Sequence, residues 1–162
     1  MAPAPFRVGH GYDIHRFGDG GELILSGVRF PEMPALRGHS DGDAVLHAVA
    51  DALLGAAGLG DTGAIFPPGD PATRGIDSSS ILRDVIARVR AAGWAPSNLD
   101  VTVVAERPRI GPRAAEMRAR VAEILGLDLG DISIKGKTSE GLGAVGRGEA
   151  IEVHAVVLLS RG

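Results

Sequence analysis

The stretch AIEVHAVVLL, residues 150–159, decides how the chain folds. It begins as an alternation of apolar and polar side chains and then becomes apolar at every position, which predicts a strand whose two faces are both covered. Helices of the same chain can cover one face of a sheet. In a protein of 162 residues the other face is covered most simply by a second subunit. The sequence therefore predicts an oligomer built on a β-sheet.

The hydrophobic pattern of the rest of the chain predicts the element order β-β-α-α-β-α-β-β. Strands are expected at residues 6–15, 22–30, 99–105, 131–135 and 149–159. Helices are expected from the capping residue Ser40 to about residue 57, at 78–92 and at 112–125. Residues 59–77 show no periodicity, which is typical of a functional or mobile loop. We therefore expect a single domain over residues 1–162, of the α/β (α+β) class, with a mixed β-sheet and helices packed on one face.

The composition excludes several classes of function. The chain contains no cysteine, which excludes disulfides and thiolate zinc sites and suits a reducing compartment. A net charge of −3 without a basic block argues against nucleic acid as a partner. No apolar stretch approaches the roughly 20 residues of a membrane span, and residues 1–5, MAPAP, lack the features of a signal peptide. We expect a cytoplasmic protein that binds neither nucleic acid nor membrane.

The most informative candidate site joins two separate motifs. In GHGYDIHR, residues 9–16, Asp13 and His15 are two positions apart, so both side chains leave the same face of the predicted strand. A second motif, HSDGD at residues 39–43, is followed by His47 on the predicted helix. One carboxylate and two imidazoles form a ligand set suited to Zn²⁺, with a fourth position left open for a substrate. The alternative is that these histidines are ordinary polar or core residues.

Two carboxylates flank His47 on its helix, Asp43 four positions before it and Asp51 four positions after it. A metal-bound histidine usually donates its second ring N–H to a carboxylate or a carbonyl, so either aspartate could orient His47. Alternatively, Asp43 only stabilises the N-terminus of the helix and Asp51 is solvated.

A second candidate site is the glycine-rich segment KGKTSEGLG, residues 135–143. Its glycines would allow backbone N–H groups to approach a phosphate, and Thr138 and Ser139 add hydroxyl donors. Lys137 supplies positive charge, and Glu140 suits a hard cation such as Mg²⁺ that bridges two phosphates. The spacing is not that of a P-loop. A surface loop without a function is the alternative.

Two further turns contribute candidates. Residues 105–112, AERPRIGP, join a strand to a helix, and backbone groups of such a turn can read the edge of a base. A simple connector is the alternative. Residues 146–149, GRGE, add the positive charge of Arg147 to the glycine-rich site.

Several motifs, taken in order along nearly the whole chain, resemble the 2-C-methyl-D-erythritol 2,4-cyclodiphosphate synthase family. They are GHGYDIH (9–15), HSDGD with His47, GLGDTG (58–63), Phe66-Pro67, Asp70-Pro71 and GRGE (146–149). The resemblance implies conversion of 4-diphosphocytidyl-2-C-methyl-D-erythritol 2-phosphate to the cyclic diphosphate with release of CMP, in non-mevalonate isoprenoid synthesis. It also implies a homotrimer whose sheets face inward and whose active sites lie between neighbouring subunits.

The resemblance also implies roles for individual residues. Asp13, His15 and His47 would bind one Zn²⁺ per chain, and Glu140 would help to hold Mg²⁺ or Mn²⁺ on the diphosphate. His39 and Thr138 would act in catalysis by contacting substrate phosphates and stabilising the transition state. Asp61 and Gly63 fall at the methylerythritol site, and the turn at 105–111 falls at the cytosine pocket. The complete set of implied substrate-binding positions is Asp13, His15, His39, Ser40, Asp61, Thr62, Gly63, Phe66, Asp70, Ala105, Pro108, Arg109, Ile110, Gly111, Lys137, Thr138, Ser139, Glu140, Ala144 and Arg147.

Three positions depart from the usual form of this family, all expected at the rim of the pocket. Pro68 stands where an aspartate is common, Ala144 replaces a larger apolar residue, and Lys137 replaces a small or hydroxylated residue. The implied chemistry nevertheless agrees with the residues present. Because the 2-phosphate of the substrate attacks the β-phosphorus, no protein nucleophile is needed, and positioning with charge neutralisation by cations suffices.

Two other functions remain open from the sequence. A zinc-dependent phosphohydrolase acting on a nucleotide-like diester would use hydroxide at the open zinc position. A metal-stabilised trimeric binding protein without turnover would need neither Glu140 nor Thr138. Detection of CMP release, with and without a chelator, separates these functions.

Overall fold

A four-stranded mixed sheet forms the centre of the fold. The structure is a computed structural model, and it describes residues 4–38, 40–67, 69, 71 and 75–162. The sheet contains β1 (Phe6–Arg16), β4 (Trp94–Val104), β5 (Ile132–Lys137) and β6 (Ala150–Arg161), in the spatial order β1-β6-β4-β5. Strands β4 and β5 are parallel, and the other two neighbouring pairs are antiparallel. The predicted mixed sheet is confirmed.

Helices cover one face of this sheet. The long helices are α1 (Ala44–Ala57), α3 (Ser78–Ala91) and α4 (Ala114–Leu125), and α2 (Thr62–Ile65) and α5 (Gly143–Gly146) are short. Helix α1 packs on β1 and β6, and α4 packs beside β5. Buried apolar side chains of the helices and strands form one continuous core. Among the residues that the structure describes, no helix is both long and apolar enough to cross a membrane.

The backbones of β1 and α1 approach each other closely. A Cβ atom built on Gly9 would lie 1.9 Å from the carbonyl oxygen of Ala52, and one built on Gly11 would lie 1.8 Å from that of Ala48. Only glycine on the strand allows this contact, and alanine keeps the facing side of the helix shallow. The spacing between β1 and α1 is therefore set by backbone atoms, with no side chain of the two glycines between them.

The prediction of one strand at residues 22–30 is wrong. This segment is a hairpin of β2 (Leu23–Leu25) and β3 (Val28–Phe30), which forms a separate two-stranded sheet. Between the strands, Ser26 and Gly27 have φ angles of 55° and 71°. Left-handed backbone at both central positions is the requirement of a type I′ turn. The usual Asn-Gly or Asp-Gly signal is replaced here by Ser-Gly, so the turn was not predicted.

Other boundaries differ from the prediction in smaller ways. Strand β4 begins at Trp94 rather than at residue 99, and its register shifts between Pro96 and Asn98 because proline has no N–H to donate to the neighbouring strand. The loop predicted at 59–77 contains the short helix α2.

The other face of the sheet exposes apolar side chains. The exposed fraction is 56% for Phe6, 69% for Val8 and 46% for Tyr12, all on β1. Val156 on the neighbouring strand β6 is 43% exposed. An exposed apolar patch of this kind is typical of an interaction surface. The face that the sequence predicts to be covered by a second subunit is thus left open by the described residues of one chain.

Candidate metal centre and substrate cavity

One carboxylate and two imidazoles meet where β1 lies against α1. Asp13 and His15 project from β1, and His47 reaches them from the first turn of α1. Oδ2 of Asp13 lies 3.0 Å from Nδ1 of His15 and 3.6 Å from Nδ1 of His47. Two ligands of a tetrahedral zinc ion are separated by about 3.3 Å when each lies about 2.0 Å from the metal. The structure therefore brings the three predicted ligands to one candidate metal site, with their ligand atoms within 4.8 Å of one another.

Two polar atoms of this cluster are buried without a hydrogen-bond partner among the described residues. Oδ2 of Asp13 and Nδ1 of His15 form no hydrogen bond to any described residue. The two atoms are 3.0 Å apart, but they lack the alignment of a hydrogen bond. Leaving a buried polar atom without a partner costs about 1–3 kcal/mol, so such atoms usually face an ion or an ordered water. The residues present therefore fit a divalent cation.

In this cluster, burial and the neighbouring charges shift the pKa values of Asp13 and His47 in opposite directions. Burial would raise the pKa of Asp13, but the His15 and His47 imidazoles beside it hold that pKa below its usual value. Burial would lower the pKa of His47, but the Asp13 carboxylate raises it above the usual value. In the metal-free protein Asp13 is therefore ionised, and His47 retains its proton to a higher pH than free histidine does. A metal ion competes with this proton, so we expect metal affinity to fall as the pH falls.

Asp43 has a structural role. The sequence pattern places the cap of α1 at Ser40, but the cap is Asp43, which is fully buried. Its carboxylate accepts the N–H groups of Ser26 at 2.9 Å, Gly27 at 2.6 Å and Leu46 at 3.1 Å. Burial raises the pKa of Asp43 to about 6, against the opposing effect of these N–H groups. One carboxylate thus joins the hairpin turn to the start of α1.

Hydroxyl groups, and not carboxylates, contact the second ring nitrogen of His47. The predictions that Asp43 or Asp51 orients this histidine are therefore both wrong. Asp43 accepts the backbone N–H groups described above, and Asp51 accepts the N–H of Thr62 at 2.8 Å and so holds the start of α2. Nε2 of His47 lies 3.0 Å from Oγ of Ser40 and 3.1 Å from Oγ of Ser78.

The segment that follows β5 brings Thr138 and Glu140 together. Oγ1 of Thr138 donates to Oε1 of Glu140 at 3.0 Å. Glu140 has a φ angle of 52°, a left-handed conformation that costs a non-glycine residue of order 1–3 kcal/mol and occurs preferentially at ligand sites. The N–H groups of Ser139 and Gly141 point to Oε1 of Glu106, at 2.9 Å and 3.5 Å. These two amides are therefore engaged within the chain and are not available to an anion in this conformation.

A cavity of about 610 Å³ opens beside this segment. This volume is within the range of about 300–1,000 Å³ that small-molecule sites occupy. Two regions that the sequence predicts separately, the turn after β4 and the end of β5, form its lining, which consists of Ala105, Glu106, Pro108, Arg109, Ile110, Gly111, Pro112, Gly136, Lys137 and Thr138. A Cβ atom on Gly136 would lie 2.9 Å from Cβ of Ile110, so glycine here allows the turn to pack against β5.

Asp61 and Gly63, which the family resemblance puts at the methylerythritol site, lie at the start of α2, next to the predicted substrate-binding residues Thr62 and Phe66. Asp61 caps this helix by accepting the N–H of Ala64 at 2.8 Å, and Thr62 and Gly63 form its first turn. Phe66 ends the helix and packs against the core. Their role toward a substrate stays a prediction.

Other predicted residues face elsewhere or are outside the described part of the chain. Ala144 lines a separate cavity of about 450 Å³. Arg147 lines a third cavity of about 310 Å³, and its Nε lies 2.7 Å from Oε1 of Glu149. The structure of one chain therefore does not bring Ala144 and Arg147 to the cavity beside Thr138. Three positions discussed from the sequence, His39, Pro68 and Asp70, lie outside the described residues.

The metal centre and the cavity lie at opposite edges of the sheet. Strands β1 and β5 are the two edge strands. Asp13 on β1 pairs with Val153, Val153 pairs with Val103, and Val103 pairs with Gly136 on β5. These four residues form one row across the sheet, in which three strand spacings separate the ends by about 14 Å. The two parts of the candidate site are thus level with each other but are not adjacent within one chain.

Two residues that the sequence reasoning did not single out organise these parts. Glu106 holds the segment after β5 through the amides of Ser139 and Gly141. Ser78 contacts His47 from the start of α3, 31 residues away in sequence. The short-range patterns available in the sequence give no signal for either contact.

The fold is that of an α/β protein, with a mixed sheet and helices on one face. It carries a candidate metal site at one edge of the sheet and a cavity of small-molecule size at the other. Comparison with known proteins makes the class more specific. The model of the YgbB family matches residues 6–160. A relative from Bordetella petrii, named 2-C-methyl-D-erythritol 2,4-cyclodiphosphate synthase, is 57% identical over 157 residues, which are 97% of each chain. The chain belongs to the YgbB family.

Solved structures give the same fold. The IspF protein of Plasmodium falciparum, determined as a CDP complex, superimposes with a TM-score of 0.85 at 33% identity and 96% coverage of each chain. The bifunctional IspDF of Campylobacter jejuni superimposes with a TM-score of 0.93 at 36% identity over 97% of this chain. The chain spans 42% of that bifunctional protein. The predicted fold class is confirmed.

Proposed function

We infer that this chain converts 4-diphosphocytidyl-2-C-methyl-D-erythritol 2-phosphate to 2-C-methyl-D-erythritol 2,4-cyclodiphosphate and releases CMP. One observation carries this inference: the Asp-His-His cluster and the cavity occur in a chain that is 57% identical, over nearly its whole length, to a protein named for this activity. The Plasmodium falciparum relative was determined with CDP. A cavity of about 610 Å³ is large enough for a cytidine nucleotide.

Two cation sites belong to this proposal. Asp13, His15 and His47 would hold one Zn²⁺ per chain, because imidazole nitrogens with one carboxylate suit zinc. Glu140 would hold Mg²⁺ or Mn²⁺, because a carboxylate shared with a diphosphate suits a hard cation. A bound cation polarises a phosphate oxygen as a Lewis acid. Purified protein should contain one zinc ion per chain by elemental analysis, and His47→Ala protein that kept this stoichiometry would contradict the ligand assignment.

The chain's own residues position the reacting groups. An oxygen of the 2-phosphate attacks the β-phosphorus, and the bond from this phosphorus to the bridging oxygen breaks as CMP leaves. Thr138 lies at the wall of the cavity and donates to Glu140, so the two side chains are placed to contact neighbouring oxygens of one diphosphate. Lys137 lines the same cavity and supplies positive charge. We assign transition-state stabilisation to Thr138 and, by the family resemblance, to His39.

The remaining substrate contacts of the proposal follow the order of the chain. The turn at 105–111 would hold the cytosine, since it lines the cavity. Asp61 and Gly63 would hold the methylerythritol moiety. Thr62, Phe66 and Asp70 would make further contacts to the substrate. Ser40, Ser139, Ala144 and Arg147 would complete the pocket.

We also infer that the active unit is a homotrimer with active sites between subunits. The metal centre and the cavity are at opposite edges of one sheet, about 14 Å apart. If the β5 edge of one copy meets the β1 edge of the next, both parts face the same substrate, and a rotation of about 120° between copies would close such head-to-tail contacts into a ring of three chains. The exposed apolar residues of β1 and β6 would then be covered inside the ring.

Product analysis tests the reaction. The purified protein is incubated with the cytidyl substrate and a divalent cation, and the products are separated by chromatography and identified by mass spectrometry. Cyclic diphosphate with CMP, abolished by a chelator, supports the proposal. CMP together with an uncyclised product would support the phosphohydrolase instead, and no CMP at all would support a binding protein without turnover.

Mixed trimers test the shared site. The variants His47→Ala and Thr138→Ala are each expected to have little activity alone. When they are mixed in equal amounts, unfolded and reassembled, about one quarter of the interfaces should combine an intact metal centre with an intact Thr138. Recovered activity near that fraction supports sites between subunits. No recovery, with correct trimers by light scattering, would place the whole site in one chain.

A further inference from the structure

The hydroxyl of Ser78 lies between His47 and a carboxylate. Ser78 is the first residue of α3 and is fully buried. Its Oγ lies 3.1 Å from Nε2 of His47 and donates to Oδ1 of Asp41. The backbone N–H of Ser78 donates to the other carboxylate oxygen of Asp41 at 3.1 Å. Asp41 therefore binds Ser78 at two points and fixes where its hydroxyl is directed.

The positions of the hydrogens follow from this chain of contacts. A serine hydroxyl has one hydrogen, and an ionised carboxylate only accepts, so the hydrogen of Ser78 lies toward Asp41. The lone pairs of Ser78 then face Nε2 of His47, which donates to them. A neutral imidazole with its hydrogen on Nε2 has its free lone pair on Nδ1. Nδ1 is the atom that lies 3.6 Å from Oδ2 of Asp13, on the side of the candidate metal centre.

We propose that Ser78 is a positioning residue which, held by Asp41, keeps His47 in the tautomer and orientation that can bind a metal ion. This proposal rests on the proposed function, in which His47 is a zinc ligand. Oγ of Ser40 also lies 3.0 Å from Nε2 of His47, so a second hydroxyl contacts the same ring nitrogen. Loss of Ser78 should therefore weaken metal binding without abolishing it. Outer partners of metal ligands typically change metal affinity by about 10–100-fold.

Metal affinity measured without substrate tests the proposal. The dissociation constant for Zn²⁺ is determined by competition with a chromophoric chelator, and Co²⁺ in place of zinc reports the ligand geometry through its visible absorption. We expect Ser78→Ala to bind Zn²⁺ about 10–100-fold more weakly and to change the Co²⁺ spectrum. Ser79→Ala is the matched control. This neighbouring serine is also buried, but its hydroxyl lies beside Gly27, so the metal affinity should not change.

Asp41→Asn gives a sharper second test, because it preserves the shape of the side chain. Oδ1 of Asp41 accepts the hydroxyl of Ser78 and the N–H of Asp43, and Oδ2 accepts the N–H of Ser78, so an amide nitrogen at either position faces a donor. The variant therefore loses the two-point hold on Ser78. The serine hydrogen can then turn toward Nε2 of His47, which favours the imidazole hydrogen on Nδ1, where it blocks the metal. We expect Asp41→Asn to weaken zinc binding at least as strongly as Ser78→Ala does. Circular dichroism checks folding, and if Ser78→Ala does not fold, Asp41→Asn decides the outcome.

Two negative results have different meanings. If the unaltered protein binds Zn²⁺ but both variants bind it equally well, with unchanged Co²⁺ spectra, the role of Ser78 is refuted and the metal centre stands. If the unaltered protein binds no Zn²⁺ at these three ligands, the proposed metal centre is itself refuted, and the role of Ser78 is refuted with it.

Discussion

Replacing Gly11 by alanine tests whether the spacing of β1 and α1 determines the metal centre. The added Cβ would lie 1.8 Å from the carbonyl oxygen of Ala48, whereas real Cβ atoms essentially never come within 3.0 Å of another heavy atom. Because protein interiors are close-packed, strand and helix must separate locally by roughly 1 Å. Overpacking of this kind costs about 1–3 kcal/mol. For a chain of this size the melting temperature should fall by roughly 2–12 °C.

The same displacement acts on the metal ligands. Asp13 lies two residues beyond Gly11 on β1, and His47 is adjacent to Ala48 on α1. Ligand distances at a zinc site tolerate deviations of only about 0.2 Å. We therefore expect Gly11→Ala to lower zinc affinity by roughly 10–100-fold, a loss typical of disturbed ligand orientation.

Thermal denaturation at fixed protein concentration and elemental analysis measure both effects. Gly55→Ala is the matched control, since Gly55 lies on α1 and a Cβ there would have nothing within 4 Å. Glycine inside a helix costs about 0.5–1 kcal/mol relative to alanine, so this control should raise the melting temperature slightly and leave zinc unchanged. If Gly11→Ala protein keeps both its melting temperature and stoichiometric zinc, the close approach of β1 and α1 does not set the site.

Three other predictions follow from the site and its surroundings. Burial raises the pKa of Asp43 to about 6, so the folded chain binds that proton more tightly than the unfolded chain. The free energy of unfolding should therefore fall by up to about 3 kcal/mol as the pH rises from about 4 to about 6. Asp43→Asn should remove this pH dependence in denaturation experiments. Glu140→Gln should keep zinc and the trimer but lose turnover, and added Mg²⁺ or Mn²⁺ should partly restore the rate. Thr138→Ala should lower the rate by about 10²–10³-fold, and added metal should not restore it. Equal responses of the two variants to metal would show that this division of roles is wrong. Dilution until light scattering detects monomers should abolish turnover but not zinc binding, and monomers that retain full activity would exclude a shared site.

The features of the fold that repeat along the chain were predictable from sequence. Helices α3 and α4 were expected at 78–92 and 112–125 and occupy Ser78–Ala91 and Ala114–Leu125. Their apolar positions recur with the helical period, which is a local property. Asp13 and His15 were placed on one side of a strand by the same kind of argument, since alternation along a strand is also local.

The features that depend on distant contacts were not predictable in this way. Asp43 was expected to act on its own helix, but most of its hydrogen bonds reach Ser26 and Gly27 in the hairpin turn. The partner of His47 was expected four residues away, but its Nε2 contacts the hydroxyls of Ser40 and Ser78, and Ser78 comes from the start of another helix. A side chain can choose such a partner only after the tertiary fold has brought it close, so spacing along the sequence does not reveal it.

The geometry of the sheet supports a proposed site that is divided between subunits. Hydrogen bonds hold neighbouring strands at a nearly constant spacing, so Asp13 and Gly136, at the two ends of one row, cannot approach each other without breaking the ladder between them. The proposed ligands of the first cation all come from β1 and α1 of one chain, so we expect metal binding not to require assembly. The proposed diphosphate contacts, Thr138 and Glu140, follow the opposite edge strand. In the proposed trimer, the substrate bridges both parts where the β5 edge of one chain meets the β1 edge of another, so we expect catalysis, but not metal binding, to depend on assembly.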